Sequence, residues 1–317
     1  MLTLGTLQLK SNLILAPMAG VSDLPFRLLN RKFGCELAFT EMLNVRSLSY
    51  KSRKTQQMLA SGQKDRPLGV QILGGEAKFI SRALEVIKAY EFDILDFNAA
   101  CPVKKVVRRG EGAGLLREPK KLAELVELVV KESKVPVTVK IRTGWDKDSV
   151  RARELALAAE DAGVKGIFIH GRTKTQEYSG SVDYKAIAQV KKAVRVPVIA
   201  SGDIFNGALA KKMFDETGSD AVLIARGALG NPWIFREIEY FLKDDHELSR
   251  PLKKEIVDTM LTHVRGCTDF YGERSGVIIF RKFFAWYTKG FRHVRQLREQ
   301  SSRAKTHDDM VGIIKKL

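Results

Sequence analysis

An amide, a thiol and two ammonium groups follow one another in one short stretch: Asn98, Cys101, Lys104 and Lys105, directly after the apolar run Phe92–Phe97. The run reads as a buried strand, and Pro102 stops it, so these groups stand at a strand tip. A hydrogen-bonding group, a sulfur and positive charge at such a tip suit a site better than packing, although an isolated cysteine is more often a small buried hydrophobe. A thiol with a pKa of about 8.5 is a workable general acid near neutral pH. Neighbouring lysines favour the thiolate instead, so the two features of this stretch pull against each other.

The elements that must hold these groups are legible over the first 240 or so residues. Short apolar runs at Leu13–Ala19, Leu37–Met42, Leu68–Leu73, Phe92–Phe97, Val135–Ile141, Gly166–His170, Val196–Ala200 and Ala221–Ala225 alternate with amphipathic stretches of helical spacing. Near-continuous Val/Ile/Leu/Phe runs are the pattern of parallel strands buried on both faces. Eight such units predict an α/β fold, a (β/α)8 TIM barrel spanning residues 1–242. A doubly wound open sheet fits less well, because Ala16-Pro17-Met18-Ala19-Gly20 is not a glycine-rich dinucleotide turn. Residues 243–250 read as a linker. Residues 251–317 carry helical periodicity and no strand signal, which predicts a small C-terminal all-α helical domain; its excess of Lys and Arg favours a docking surface over mere barrel elaboration.

In such a barrel the site lies at the C-terminal strand ends, and polar groups gather there. The tips offer Pro17, Met18 and Ala19, then Glu41, then Gln71, then Asn98 and Cys101. Later tips offer Lys140 and Arg142, His170 and Arg172, Ser201-Gly202-Asp203, and Ala225-Arg226-Gly227. The last two turns, with Gly202, Gly227 and Arg226, suit a phosphate group. Lys140 lies within a strand and needs an anionic partner; the choices are a carboxylate such as Glu41 or an electron-rich ring whose reduced form it would stabilise. His170 is ambiguous between a structural and a site role.

The chain has 317 residues, 44% of them hydrophobic, and a formal charge of +17. The excess predicts attraction to a polyanion, nucleic acid first. It is uneven: from Arg250 to Leu317 there are 15 Lys and Arg against 7 Asp and Glu. No run is long enough for a membrane span. The three cysteines, Cys35, Cys101 and Cys267, form neither a metal-ligand pair nor a disulfide framework. No metal is expected, and a reducing cytoplasmic setting without a secretory leader is.

Several blocks, in order, resemble the flavin-dependent tRNA-dihydrouridine synthases, in particular the bacterial B-type branch. They are Ala16–Asp23 with Pro25-Phe26-Arg27, Asp96-Phe97-Asn98 with Cys101-Pro102 and Lys104-Lys105, Val139–Gly144, His170–Thr173, Arg226-Gly227-Ala228, and Arg281-Lys282 with Trp286-Tyr287. The resemblance implies FMN as cofactor, NADPH as reductant, tRNA as partner and a monomeric enzyme that saturates the C5–C6 bond of uridine. It implies Cys101 as proton donor. Pro17, Met18, Ala19, Gln71, Lys140, His170, Ser201, Gly202, Asp203, Ala225, Arg226 and Gly227 would hold the cofactor. Asn98, Lys104, Lys105, Arg142, Arg172, Arg281 and Lys282 would hold substrate, with Asn98 orienting the uracil. Three departures stand out: Ala100 replaces the family's usual glycine before the cysteine, Ser201 replaces an asparagine, and Ala225 stands where glycine is common. The same chemistry on ribosomal RNA, an FMN barrel acting on a small molecule, and a non-catalytic RNA-binding barrel are the alternative readings.

Overall fold

The computed structural model describes all residues, Met1 to Leu317. Eight parallel strands close into a barrel, and an antiparallel hairpin precedes them. The hairpin strands are β1 (Leu2–Leu4) and β2 (Leu7–Leu9); the barrel strands are β3 (Leu13–Leu15), β4 (Leu37–Asn44), β5 (Leu68–Leu73), β6 (Ile94–Asn98), β7 (Val137–Arg142), β8 (Ile167–His170), β9 (Val198–Ser201) and β10 (Ala221–Ile224). Their order around the barrel follows the sequence, with β10 pairing β3 to close it. All eight expected strands are present; β3, the shortest, stops three residues after it starts because Pro17 lacks an amide hydrogen for the ladder.

Alternation along each strand separates two cores. Outward residues such as Val70, Ile72, Leu95 and Phe97 pack on the surrounding helices. Inward residues Ile14, Leu37, Phe39, Ile94, Phe168, Ile199, Ala221 and Leu223 fill the lumen. Phe39 meets Phe168 edge-on at 5.4 Å, and a Cβ on Gly69 would collide with the Phe39 ring. Glycine at 69 thus makes room for the lumen's largest side chains. Leu2, Leu4 and Leu9 of the hairpin join the same cluster and close the N-terminal end of the barrel. The Leu-x-Leu alternation on either side of Gly5, whose φ is +64°, could have disclosed this hairpin.

Helix boundaries follow local chemistry. Asp23 caps Leu24–Arg31 by accepting from the Phe26 amide, with Pro25 in the first turn. Asn206 caps Gly207–Thr217, and Gly218 at φ +65° ends it. After β4 the chain forms two short helices, Val45–Ser49 and Arg53–Gln57, separated where Lys51 takes a left-handed conformation. The C-terminal stretch forms Lys253–Tyr271, Glu273–Tyr287, Arg295–Arg303 and His307–Ile314. The last two are separate helices, because Thr306 and Asp309 form a capping box that starts a new one. These helices share a core with the barrel: Phe26 stacks on Phe283 at 5.5 Å, and Trp233 Nε1 donates to Glu255 Oε1 at 2.7 Å.

Candidate active site

Strand β6 carries the centre of the site. Its inward residues, Asp96 and Asn98, begin a chain of buried hydrogen bonds. Thr138 Oγ1 donates to Asp96 Oδ1 at 2.8 Å, and Gln71 Nε2 donates to Asp96 Oδ2 at 2.7 Å. Asn98 Nδ2 donates to Gln71 Oε1 at 2.8 Å. Asn98 Oδ1 then accepts from the amides of Ala100 at 3.0 Å and Cys101 at 2.9 Å. A fully satisfied network of this kind fixes one geometry. It runs from a carboxylate inside the barrel to the backbone of Cys101.

The loop is held on two further sides. Arg142 Nε donates to the Ala100 carbonyl at 2.7 Å. The Ala113 amide donates to the Cys101 carbonyl at 3.0 Å. Ala100 is absent from the residues of positive φ, so the loop uses no conformation that alanine resists. Burial pushes the Cys101 thiol above its ordinary value of 9.0, with the Arg142 cation acting weakly the other way. Lys104 and Lys105 are exposed on the next short helix, Lys104–Val107, and do not line the cavity. The net shift is toward the acid form, and the two lysines, exposed outside the cavity, are not among the groups that set it.

The cavity at the C-terminal mouth has a volume of about 420 Å³. Pro17, Met18 and Ala19 form an apolar wall; Gln71, Asn98, Cys101, Lys140, Arg142 and His170 line the centre. Ser201, Gly202 and Asp203 face Ala225, Arg226 and Gly227 at the far end. The carboxylate facing Lys140 is Asp96, not Glu41. Burial drives Lys140 down and Asp96 up, and their mutual attraction opposes both shifts. Burial first, and then Arg142, Lys140, Arg172 and Arg226, hold His170 well below its usual range, so it is neutral.

At the far end Asp203 sits between two arginines. Its carboxylate accepts from Arg226 Nη2 at 2.6 Å and from both Nη atoms of Arg172. The backbone amides of Gly202 and Asp203 donate to nothing within the protein. A Cβ on Gly227 would collide with the Ile204 carbonyl oxygen, so glycine there lets the loops after β9 and β10 touch. Half-exposed Arg226 and the free amides make an anion cradle.

Four residues expected to meet substrate also hold parts of the protein together, Arg142 while lining the cavity. Arg172 is 1% exposed and donates to the Ser179 and Gly180 carbonyls besides Asp203. Arg142 is 2% exposed and donates to the carbonyls of Ala100, Thr173 and Glu177, so it braces loops. Arg281 donates to the Ala304 carbonyl and joins two C-terminal helices. Lys282 donates to the Gly20 carbonyl. Conversely, Tyr178 and Phe205, exposed by 56% and 43%, line the cavity rim and were not legible as site residues. The Arg226 guanidinium lies 5.1 Å from the Tyr178 ring and 5.5 Å from that of Phe205.

A closed parallel barrel with this cavity at the C-terminal ends of its strands defines an α/β-barrel enzyme. The chain belongs to the dihydrouridine synthase family. The family's profile, described as Dihydrouridine synthase (Dus), matches residues 14–316. Among relatives, tRNA-dihydrouridine synthase B of Pseudomonas aeruginosa is 40% identical over 305 residues, covering 96% of this chain and 92% of that one. Its namesake from Xanthomonas axonopodis is 38% identical over 310 residues, covering 98% and 93%. A probable tRNA-dihydrouridine synthase of Rickettsia bellii is 40% identical over 299 residues, covering 94% and 92%. In fold, histamine dehydrogenase from Rhizobium matches 84% of the chain with a TM-score of 0.59 at 11% identity; the chain spans 50% of that protein's length.

Proposed function

We propose that this chain reduces the C5–C6 double bond of uridines in tRNA, with FMN as bound cofactor and NADPH as its reductant, in a reducing cytoplasmic setting. The relatives' shared name supports the substrate. The observation that carries the reading is a half-buried thiol on the wall of a cavity that also holds Lys140, with Arg226 and two unpartnered amides at its end. No helix of the chain is long and apolar enough to cross a membrane.

The donor set fits FMN. The two free amides of Gly202 and Asp203, with Arg226, suit a phosphate. Pro17, Met18 and Ala19 suit the face of a flat ring, Gln71 keeps one amide hydrogen for its pyrimidine portion, and Lys140 suits its electron-rich edge. When bound and reduced, FMN supplies the hydride for C6 of the uracil.

Cys101 supplies the proton. The S–H bond breaks as a C–H bond forms at C5, and the thiolate regains its proton from solvent. Asn98 places Cys101 through the two loop amides, and its remaining amide hydrogen is free for a uracil carbonyl. Neutral His170 adds a hydrogen-bonding group without adding charge. The base reaches the cavity by leaving its stack, and Tyr178 and Phe205 offer aromatic faces at the rim to receive it or its neighbours. Lys104 and Lys105, exposed beside the mouth, meet the RNA backbone, as does the basic helical unit of residues 251–317.

The test is a pair of half-reactions. Wild-type protein with NADPH and unmodified tRNA is expected to bleach the flavin absorbance and to form dihydrouridine, scored by mass spectrometry. Cys101→Ala is expected to keep the bleaching and lose the product. Loss of both would overturn the proton-donor role, and bleaching without product in the wild type would overturn the substrate.

A further inference from the structure

The loop that forms the apolar wall of the cavity is fastened to the C-terminal helices, far away in sequence. Gly20, one residue past Ala19, has φ +73°. Its amide donates to Glu41 Oε2, and its carbonyl accepts from Lys282 Nζ on helix Glu273–Tyr287. Three residues on, Asp23 Oδ1 caps the helix Leu24–Arg31, while Asp23 Oδ2 accepts from Tyr271 Oη at 3.0 Å, at the end of helix Lys253–Tyr271. Asp23 is 5% exposed, so its end of this bond is shielded from water. Within the loop, Ser22 Oγ accepts from the Met18 amide at 2.9 Å, which carries any displacement of residues 20–23 to the cavity wall.

The side chains around this contact leave little slack. The Lys282 ammonium lies 5.0 Å from the Phe283 ring, and Phe283 stacks on Phe26 of the helix that Asp23 starts. Lys282 stands near Glu41 and Asp23, a cation beside two carboxylates, and the Gly20 N–H and C=O are held by Glu41 and Lys282 respectively.

We propose that Lys282 and Tyr271 are positioning residues for the cofactor: through Gly20 and Asp23 they hold the Pro17–Ala19 wall in the form that receives the flavin ring. The helical unit is then part of the cofactor site, besides being a surface for RNA. This rests on the reading of the cavity as an FMN site. It also separates two roles for Lys282, since a phosphate contact acts on RNA affinity and a strut acts on flavin affinity.

The experiment is an FMN titration of apoprotein, followed by flavin fluorescence, for the wild type, Lys282→Met, Lys282→Arg and Tyr271→Phe, with tRNA affinity measured in parallel. Failure of the wild type to bind FMN would sink the cofactor reading itself. With wild-type binding intact, Lys282→Met is expected to weaken FMN about tenfold, the size of one charge-assisted hydrogen bond. Lys282→Arg, which keeps a donor, is expected to restore most of it. Tyr271→Phe, which removes one hydroxyl, is expected to weaken FMN about threefold. The dependence of tRNA affinity on salt is expected to stay at the wild-type slope in all three. Unchanged FMN affinity in both Lys282→Met and Tyr271→Phe, or a loss of tRNA affinity with FMN affinity kept, overturns the proposal.

Discussion

The Cys101 amide donates to Asn98 Oδ1 at 2.9 Å, so the residue that ends strand β6 also sets where the thiol stands. The same oxygen takes the Ala100 amide, and the same side chain reaches back through Gln71 to Asp96. Placement of the Cys101 thiol thus descends from a carboxylate inside the barrel.

Asn98→Ala removes the acceptor for two loop amides and the donor to Gln71. Misplacing a reacting group by about 1 Å costs on the order of 100-fold in rate. Uridine reduction is expected to fall by that order, while bleaching of the flavin by NADPH persists. Single-turnover measurement of each half-reaction checks this, and equal losses in both would refute it.

Burial raises the thiol of Cys101 above 9.0. With Cys101 as the proposed acid, the protonated form is the working form, so activity would be present below the raised value and lost as pH rises through it. Product formation from pre-reduced enzyme is expected to stay level from neutral pH to about 9 and to decline only above that. A decline centred near pH 7 would mean that the lysines govern the thiol after all.

Asp23 is pushed by burial from 3.8 to about 6. A carboxyl raised in the folded state favours folding in its protonated form. That contribution is complete below about pH 4 and is lost as pH climbs through about 6. The loss is on the order of 3 kcal/mol. Asp23→Asn keeps an oxygen for the helix cap and cannot ionise. Its stability relative to wild type, from urea midpoints, is expected to improve steadily between pH 4 and 6. A pH-independent difference would count against the assignment.

Lys104 and Lys105 are exposed, form no ion pair, and stand outside the cavity. The double change Lys104→Ala and Lys105→Ala is expected to weaken tRNA binding and to reduce the salt slope of log affinity by about 2. Flavin bleaching by NADPH is expected to be unaffected. An unchanged slope in a filter-binding series across potassium chloride concentrations would remove both residues from the interface.

The barrel was legible because strands buried on both faces leave unbroken apolar runs, and because polar residues at their ends have no packing reason to be there. The direction each side chain takes was not legible. Arg142 and Arg172 sit at strand tips as a substrate contact would, yet neighbouring loops turn their carbonyls inward and absorb both guanidinium groups. Asp96 hid within an apolar run because a carboxylate satisfied inside a barrel leaves no periodicity. Tyr178 and Phe205 reach the rim through loops whose course no local pattern records. Lys282 looked like one more basic residue of a basic tail, because its partner lies 262 positions away.

The hairpin at the start of the chain has a consequence for traffic. Leu2, Leu4 and Leu9 stopper the barrel from below, and Phe39 and Phe168 fill its middle, so nothing reaches the cavity through the lumen. On the proposed function, the reductant and the RNA base would then both approach from the side of the strands' C-terminal ends, and the first nine residues serve the traffic by closing the other way in.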